Sequence, residues 1–287
     1  MTQHKNNTRC GYVALIGAPN AGKSTLLNAL LGQKLAIVSA KPQTTRTAIL
    51  GIVTEGPAQL CFLDTPGLFA ANGKFEQSLV AAAQQAIADA DVVVMVMDAT
   101  QRREGLDEVV GKIPHKKPAF LVINKVDKFR NKEKLLPLIK QWQDKFLWKH
   151  IFLLSALKND GVADVMKHLT AAVPEGPWLY GDDVLTTLPE RDLAAEVTRE
   201  QLYHQLHQEL PYDATVRAIS WEERKDGSVA IAQEIVVMRA NQRKIVLGAG
   251  GQQLKAIGVA ARTELAKVLD RKVHLNLTVV VDETWKP

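Results

Sequence analysis

At 287 residues the chain has room for two domains, each with its own core. Its 46% hydrophobic and 23% charged residues are those of a globular protein, and no run approaches the roughly 18 uninterrupted apolar residues of a membrane helix, which excludes an integral helical membrane protein. The formal net charge of +5 permits a polyanionic partner without demanding one.

Residues 1–9 are polar and lack the apolar centre of a secretory signal, so a cytosolic protein is expected. Cys10 and Cys61 form no CxxC pair and sit among strand-like apolar residues, as buried free thiols do. The apolar run 11–16 reads as a strand, and a run with helical spacing reaches residue 30. Between them lies the loop Gly17, Ala18, Pro19, Asn20, Ala21, Gly22, Lys23, Ser24, Thr25. Its GxxxxGK[ST] spacing lets backbone N–H groups and a helix N-terminus converge on polyphosphate oxygens. Lys23 is expected to reach the β- and γ-phosphates of a nucleotide, and the Ser24 hydroxyl to ligate Mg2+.

Past a Lys41-Pro42 break, the polar Thr44-Thr45-Arg46 leads into two strand-length segments about a Gly56-Pro57 turn. They predict an antiparallel hairpin that delivers Asp64 at its end. In Asp64, Thr65, Pro66, Gly67 the carboxylate can hold a metal-bound water, and the Gly67 N–H can touch a γ-phosphate. One threonine hydroxyl, of Thr44 or of Thr45, with Thr45 favoured, can complete the metal shell once triphosphate is bound, which makes a switch.

Residues 75–90 read as helix, 91–98 as strand, 106–113 as helix, 118–127 as strand, 132–146 as helix, 150–157 as strand and 162–173 as helix. Such alternation predicts a mainly parallel sheet covered on both faces, with ligands at the strands' carboxyl ends. There the motif Asn124, Lys125, Val126, Asp127 can select the base. The Asp127 carboxylate accepts from guanine N1–H and N2–H, a donor pair adenine lacks. Asn124 is expected to address the other guanine edge, Lys125 to pack over the base, and Ser155-Ala156 to offer a backbone N–H to guanine O6.

Residues 176–189 read as a linker between a domain over 1–175 and a second over 190–287. The second opens with a helix over 191–210 that carries His204 and His207 as surface residues rather than a metal pair. A hairpin about Lys225-Asp226-Gly227 follows, and a strand closes the chain. Residues 239–272 hold 8 Lys and Arg against 2 acidic residues, around the GxxG loop Gly248, Ala249, Gly250, Gly251. Such a loop lets nucleotide backbone lie close against a helix N-terminus while apolar side chains hold splayed bases. Arg243, Lys244, Lys255 and Arg262 are the phosphate-contact candidates, and Ile245, Val246, Leu254 and Ile257 the groove lining.

In this order GAPNAGKS, QTTR, DTPG, NKVD and SA resemble the five GTPase motifs of the Era family. ELPYDATVRA and IVLGAGGQQLKAIGVAARTEL resemble its RNA-binding half, so the likeness runs nearly end to end. The resemblance implies an α/β P-loop GTPase domain followed by an α+β type II KH domain. It also implies a slow GTP-to-GDP switch in which Lys23, Thr45 and Gly67 serve catalysis and Ser24, Thr45 and Asp64 hold Mg2+. The implied partners are GTP and GDP, the 3′ end of 16S rRNA and the assembling 30S subunit, met by a cytoplasmic monomer. Peripheral contact with the inner membrane is a further implication, without a signal here beyond basic residues. Related GTPases place K+ against the phosphates through a loop asparagine, here Asn20. Leu68 stands where some GTPases carry a water-orienting glutamine and has no polar atom to do so. Two rival readings are an RNA-binding scaffold whose nucleotide is structural and a tRNA-modification GTPase. No extra catalytic domain or terminal cysteine motif supports the latter.

Overall fold

The structure is a computed structural model and describes residues 8–39, 49–64, 84–101, 110–206 and 210–285. These form two compact units, one of residues 8–36 and 49–187, the other of residues 37–39 and 188 onward.

The first unit is built on six strands: β1 Arg9–Ile16, β2 Ile49–Glu55, β3 Ala58–Asp64, β4 Val92–Asp98, β5 Ala119–Asn124 and β6 His150–Leu153. Their order across the sheet is β2-β3-β1-β4-β5-β6. Every neighbouring pair is parallel except the β2–β3 hairpin. Every residue of β4 and of β5 is buried, as strands covered on both faces must be. The described helices are α1 Lys23–Leu31, α2 Leu136–Gln143 and α3 Val162–Ala172, with short helical stretches at 84–89 and 110–111. The helix expected over 132–146 is divided: a 3-10 turn spans Lys132–Leu135, and α2 starts afresh with Pro137 in its first turn. Proline is tolerated there because the first helical N–H groups have no intrahelical partner. Trp142 on α2 packs with Leu138 against Met95 and Leu121 of the sheet.

Residues 176–187 are not a free tether. The Ile52 N–H donates to Leu185 O at 2.7 Å, and Gly51 bridges to Thr186. The fully buried Gln59 accepts the Leu179 and Tyr180 N–H groups at 2.9 and 3.0 Å and donates to Tyr180 O. Trp178, Tyr180 and Val184 thereby cover an apolar cluster of Cys10, Ile52 and Cys61. Both cysteines are buried free thiols, and burial, reinforced by contact with Cys10, pushes the Cys61 thiol up to about 12.

The second unit runs α4 Glu190–Gln205, β7 Ala214–Glu223, β8 Val229–Val237, α5 Ala240–Leu247, α6 Gln252–Val268 and β9 Val273–Val281. Strands β7 and β8 pair antiparallel, β8 and β9 parallel. Alternate residues of β8, Val229, Ile231, Ile235 and Val237, carry the helices on one face of this sheet. Helix α4 stops at Gln205, with Leu206 already extended, so it is shorter than its sequence predicts. Its polar run Thr198–Gln201 is buried: Arg199 pairs with Glu196 at 2.6 Å, and Glu200 accepts the Val38 N–H at 2.9 Å. Among the described residues no helix is long and apolar enough to cross a membrane.

Candidate functional site

The phosphate loop joins β1 to α1 at the carboxyl end of the sheet. Two of its glycines are required by their surroundings. At Gly17, with φ +145°, a Cβ would lie 2.0 Å from Val96 O; at Gly22, with φ +96°, it would lie 2.2 Å from Asn124 Nδ2. Lys23 is buried, and its Nζ folds over the loop to Gly17 O and Ala18 O at 3.2 and 3.1 Å. Burial lowers its pKa to about 8, against the opposing charge of Asp64. The Ser24 hydroxyl donates to Asp64 Oδ2 at 2.7 Å, so one oxygen from the loop and one from the end of β3 meet at a single point. Hard oxygen donors in that position suit Mg2+. Thr45, Thr65, Pro66 and Gly67, with Thr44, Arg46 and Leu68, lie outside the described residues.

The ends of β4, β5 and β6 supply the base side. Lys125, itself at φ +64°, reaches Asn20 O at 2.6 Å and Asp98 Oδ2 at 2.7 Å, locking the motif after β5 onto the phosphate loop. Asn124 departs from its expected role on the guanine edge. Its Nδ2 donates to Ala21 O at 3.0 Å, while its Oδ1 accepts the Lys125 and Ala156 N–H groups at 2.8 and 3.0 Å. A buried amide engaged in this way ties three loops together and is turned away from a base. Of the Ser155-Ala156 backbone N–H groups expected to offer a donor to guanine O6, that of Ala156 is held by Asn124 Oδ1 and that of Ser155 by Asp160 O in this structure. Val126 points into the core, the residue being 1% exposed, so its side chain is an anchor rather than a base contact. Asp127, by contrast, is exposed and forms no hydrogen bond among the described residues, as suits a base-reading carboxylate. Ser155 caps the turn that follows by accepting the Lys158 N–H.

Asp98, the last residue of β4, is a further residue of the candidate site that the motifs do not reveal. Its Oδ1 accepts the Thr100 N–H and hydroxyl at 2.8 and 2.7 Å, and its Oδ2 holds Lys125. Burial opposes its ionisation, but the hydrogen bonds from Lys125 and Thr100 outweigh it and hold the carboxyl below the usual range. A carboxylate closing an otherwise apolar strand at the sheet's ligand-binding edge was the available signal.

In the second unit the GxxG loop joins α5 to α6. Gly248, Gly250 and Gly251 take φ of +71°, +58° and +80°, and a Cβ on Gly248 would press on Gln253 at 2.7 Å. Around Gly250 and Gly251 the space is open. Ala249 is exposed, as are Arg243, Lys244, Lys255 and Arg262; the Arg243 Nε donates to Val279 O at 3.1 Å. Of the expected groove lining, Ile245 is 58% exposed, whereas Val246 and Ile257 are fully buried under the sheet. Leu254 packs partly buried against them. Successive helical residues point about 100° apart, so Ile245 and Val246 cannot share one surface.

A phosphate loop, a Ser–Asp oxygen pair beside it and the Asn124–Asp127 strand end make the first unit a P-loop GTPase domain, and a GxxG loop between helices packed on a mixed sheet makes the second a KH domain. Family models agree: residues 12–125 match one described as a 50S ribosome-binding GTPase, and residues 203–286 match the KH domain. The chain belongs to the Era family of GTPases. It is 50% identical over 283 residues to GTPase Era of Afipia carboxidovorans, covering 97% of this chain and 91% of that one. With GTPase Era of Rhizobium meliloti the identity is 48% over 280 residues, covering 97% and 89%. Among solved structures it is similar to Era in complex with MgGDPNP and nucleotides 1506–1542 of 16S ribosomal RNA, at TM-score 0.90 and 38% identity over 97% of this chain and 95% of that one. An Aquifex aeolicus Era variant bound to GDP and aluminium fluoride matches at TM-score 0.90 and 39% identity, with the same coverage.

Proposed function

We propose that this chain is a GTP-hydrolysing switch that, as a cytoplasmic monomer, binds the 3′ end of 16S rRNA through its GxxG loop and acts in assembly of the 30S subunit. The observation that carries the reading is the convergence at one sheet edge of Lys23, the Ser24–Asp64 pair and the exposed Asp127. A relative solved with both a GTP analogue and 16S nucleotides supports the pairing of nucleotide with RNA.

Lys23 and the loop amides bind the β- and γ-phosphates and stabilise charge on the transferring phosphoryl group. Mg2+ held by Ser24 and Asp64 would neutralise further charge there. Asp127 selects guanine, and Lys125, braced by Asp98 and Asn20, fixes the floor of the base site. Thr45 and Gly67 sense the γ-phosphate in this reading, and Asn20 holds K+ against the phosphates. The GTPase domain is assigned to 1–175, the connection to 176–189 and the KH domain to 190–287. Arg243, Lys244, Lys255 and Arg262 contact RNA phosphates, with Ile245 beside the bases.

Phosphate release measured with and without a 16S 3′-end oligonucleotide tests the reading. Stimulated release, together with tighter RNA binding in GTP than in GDP, is the expected result. No stimulation and equal affinities would mean an RNA-binding scaffold with a structural nucleotide. Equal hydrolysis in potassium and sodium buffers would remove the K+ assignment alone.

A further inference from the structure

The densest positive run in the first unit extends well beyond the nucleotide site. Residues 110–150 hold eleven lysines and arginines against three acidic residues, in a chain whose whole net charge is +5. The fold sorts this run into two groups. Lys125, Lys128, Arg130, Lys132 and Lys134 follow the carboxyl end of β5, on the nucleotide side. The loops 112–118 and 144–149 precede β5 and β6, which are parallel, so both lie at the opposite end of the sheet.

Several contacts hold these two loops together. The Lys149 N–H donates to Ala119 O at 2.8 Å, and His115 stacks on Phe146 with ring centroids 5.7 Å apart. Phe146 in turn meets Trp148 at 4.8 Å, and the Trp148 indole N–H donates to Trp142 O at 2.8 Å. On this fixed aromatic ledge stand Lys116, Lys145, Lys149 and His150, all exposed. Lys116 and Lys149 form no ion pair among the described residues, and Lys145 lies 4.9 Å over the Trp142 ring. Among the described residues, the acidic ones at this end include Asp89, Asp91 and Asp144, with Glu55 and Glu175 farther across the sheet, beside β3 and β1. Asp91 accepts the Tyr12 N–H, and Asp89 is engaged by Gln85. Lys117 is spent capping the helical stretch that ends at 89, on the carbonyls of Ile87, Ala88 and Ala90.

We infer that this end of the GTPase domain is a second RNA-binding surface, one that takes the phosphate backbone of double-stranded RNA. Phosphate contact requires cations on a firm support and no base-sized pocket, which is what the ledge presents. The GxxG loop, in contrast, needs unstacked single-stranded bases. A lipid surface fits less well. A membrane-binding face exposes a row of apolar side chains, whereas here the aromatics are stacked and hydrogen-bonded inward and only Leu147, 87% exposed, stands out.

The test is fluorescence anisotropy of the full chain with a blunt, mixed-sequence RNA duplex, titrated with salt. The variant K116E/K145E/K149E should lose about tenfold or more in duplex affinity and about three in the slope of log affinity against log salt. Affinity for a single-stranded 16S 3′-end oligonucleotide and for GTP should be unchanged, which also reports an intact fold. Should the triple variant misfold, K116Q/K149Q, which leaves Lys145 on Trp142, decides the matter with a slope loss of about two. Unchanged duplex affinity overturns the inference, as does an equal loss on duplex and single strand. Lost binding to phosphatidylglycerol vesicles with the duplex unaffected also overturns it, in favour of lipid. If the GxxG assignment instead fails, the wild-type single-strand arm alone is silent.

Discussion

Replacing Asp98 by asparagine tests whether the brace behind Lys125 matters to nucleotide binding. Asp98 is 5% exposed, and its Oδ2 holds the Lys125 ammonium at 2.7 Å. In the Asp98→Asn variant the new amide oxygen could still accept both Thr100 bonds, which would turn the amide NH2 toward the ammonium. Of its two anchors, Lys125 would keep only Asn20 O at 2.6 Å. A hydrogen bond to a charged group is worth about 1.5–3 kcal/mol, so GTP and GDP affinities should both fall by about tenfold or more. Preference for guanine over adenine should survive, because Asp127 is untouched. Titration of a fluorescent GDP analogue, with competition by GTP and ATP, reads both quantities. The linkage has a defined sign. A carboxyl held below its ordinary value contributes stability in full above the unfolded value of about 4, and loses it as pH falls through the folded value. The stability gap between wild type and Asp98→Asn should therefore close below pH of about 4. Unchanged nucleotide affinity, or a gap that persists in acid, would refute the brace.

Lys23 gives the opposite pH behaviour. Its amine titrates near 8 in the folded chain, so between there and about 10.5 the unfolded chain holds more protons and the nucleotide-free protein gains stability as pH rises. Burying that charge costs about 3 kcal/mol at lower pH. Phosphate beside Lys23 restores the proton, so nucleotide binding at pH 8 should take up about half a proton. Calorimetry in buffers of different ionisation enthalpy measures this, and zero uptake would refute it. Asp127→Asn replaces an acceptor pair by one donor and one acceptor, which matches the 2-oxo edge of xanthine; GTP affinity should fall about a hundredfold or more while XTP binding rises. Competition binding would show otherwise if both nucleotides weakened together. Gly251→Asp places a side chain at φ +80° and a negative charge in the GxxG loop. RNA affinity should drop about tenfold or more with GTP binding intact. Loss of both in parallel assays would mean damage to the fold.

Local spacing settles a feature when all its atoms come from one turn or one strand end. That is why the phosphate loop, Asp64 at the close of β3, Asp127 and the GxxG glycines are legible in the chain alone: each needs only neighbours within a few residues. The same locality hides the break in the helix expected over 132–146, since Pro137 interrupts the backbone hydrogen bonding while leaving the apolar period intact. The strap 176–187 reads as a linker from its Pro, Gly and acidic residues, with Trp178 and Tyr180 as the side chains expected to pack it down. What they cover, together with Val184, is decided only once β2 and β3 are placed beneath them.

What tertiary structure alone decided is which donor meets which acceptor. Lys125 and Asn20 are 105 positions apart and Asn124 and Ala21 are 103 apart, yet the parallel order β1-β4-β5 brings their loops to one edge. That pairing takes Asn124 from the base, assigns Asp98 to Lys125, and leaves Asp127 facing outward. In the KH domain the sheet beneath α5 separates Ile245 from Val246, though composition makes them equivalent. The sequence determined the chemistry on offer, because residue type and local turn geometry are properties of short stretches. The fold determined which groups remain for a ligand, because a polar atom satisfied inside the protein is no longer available outside it.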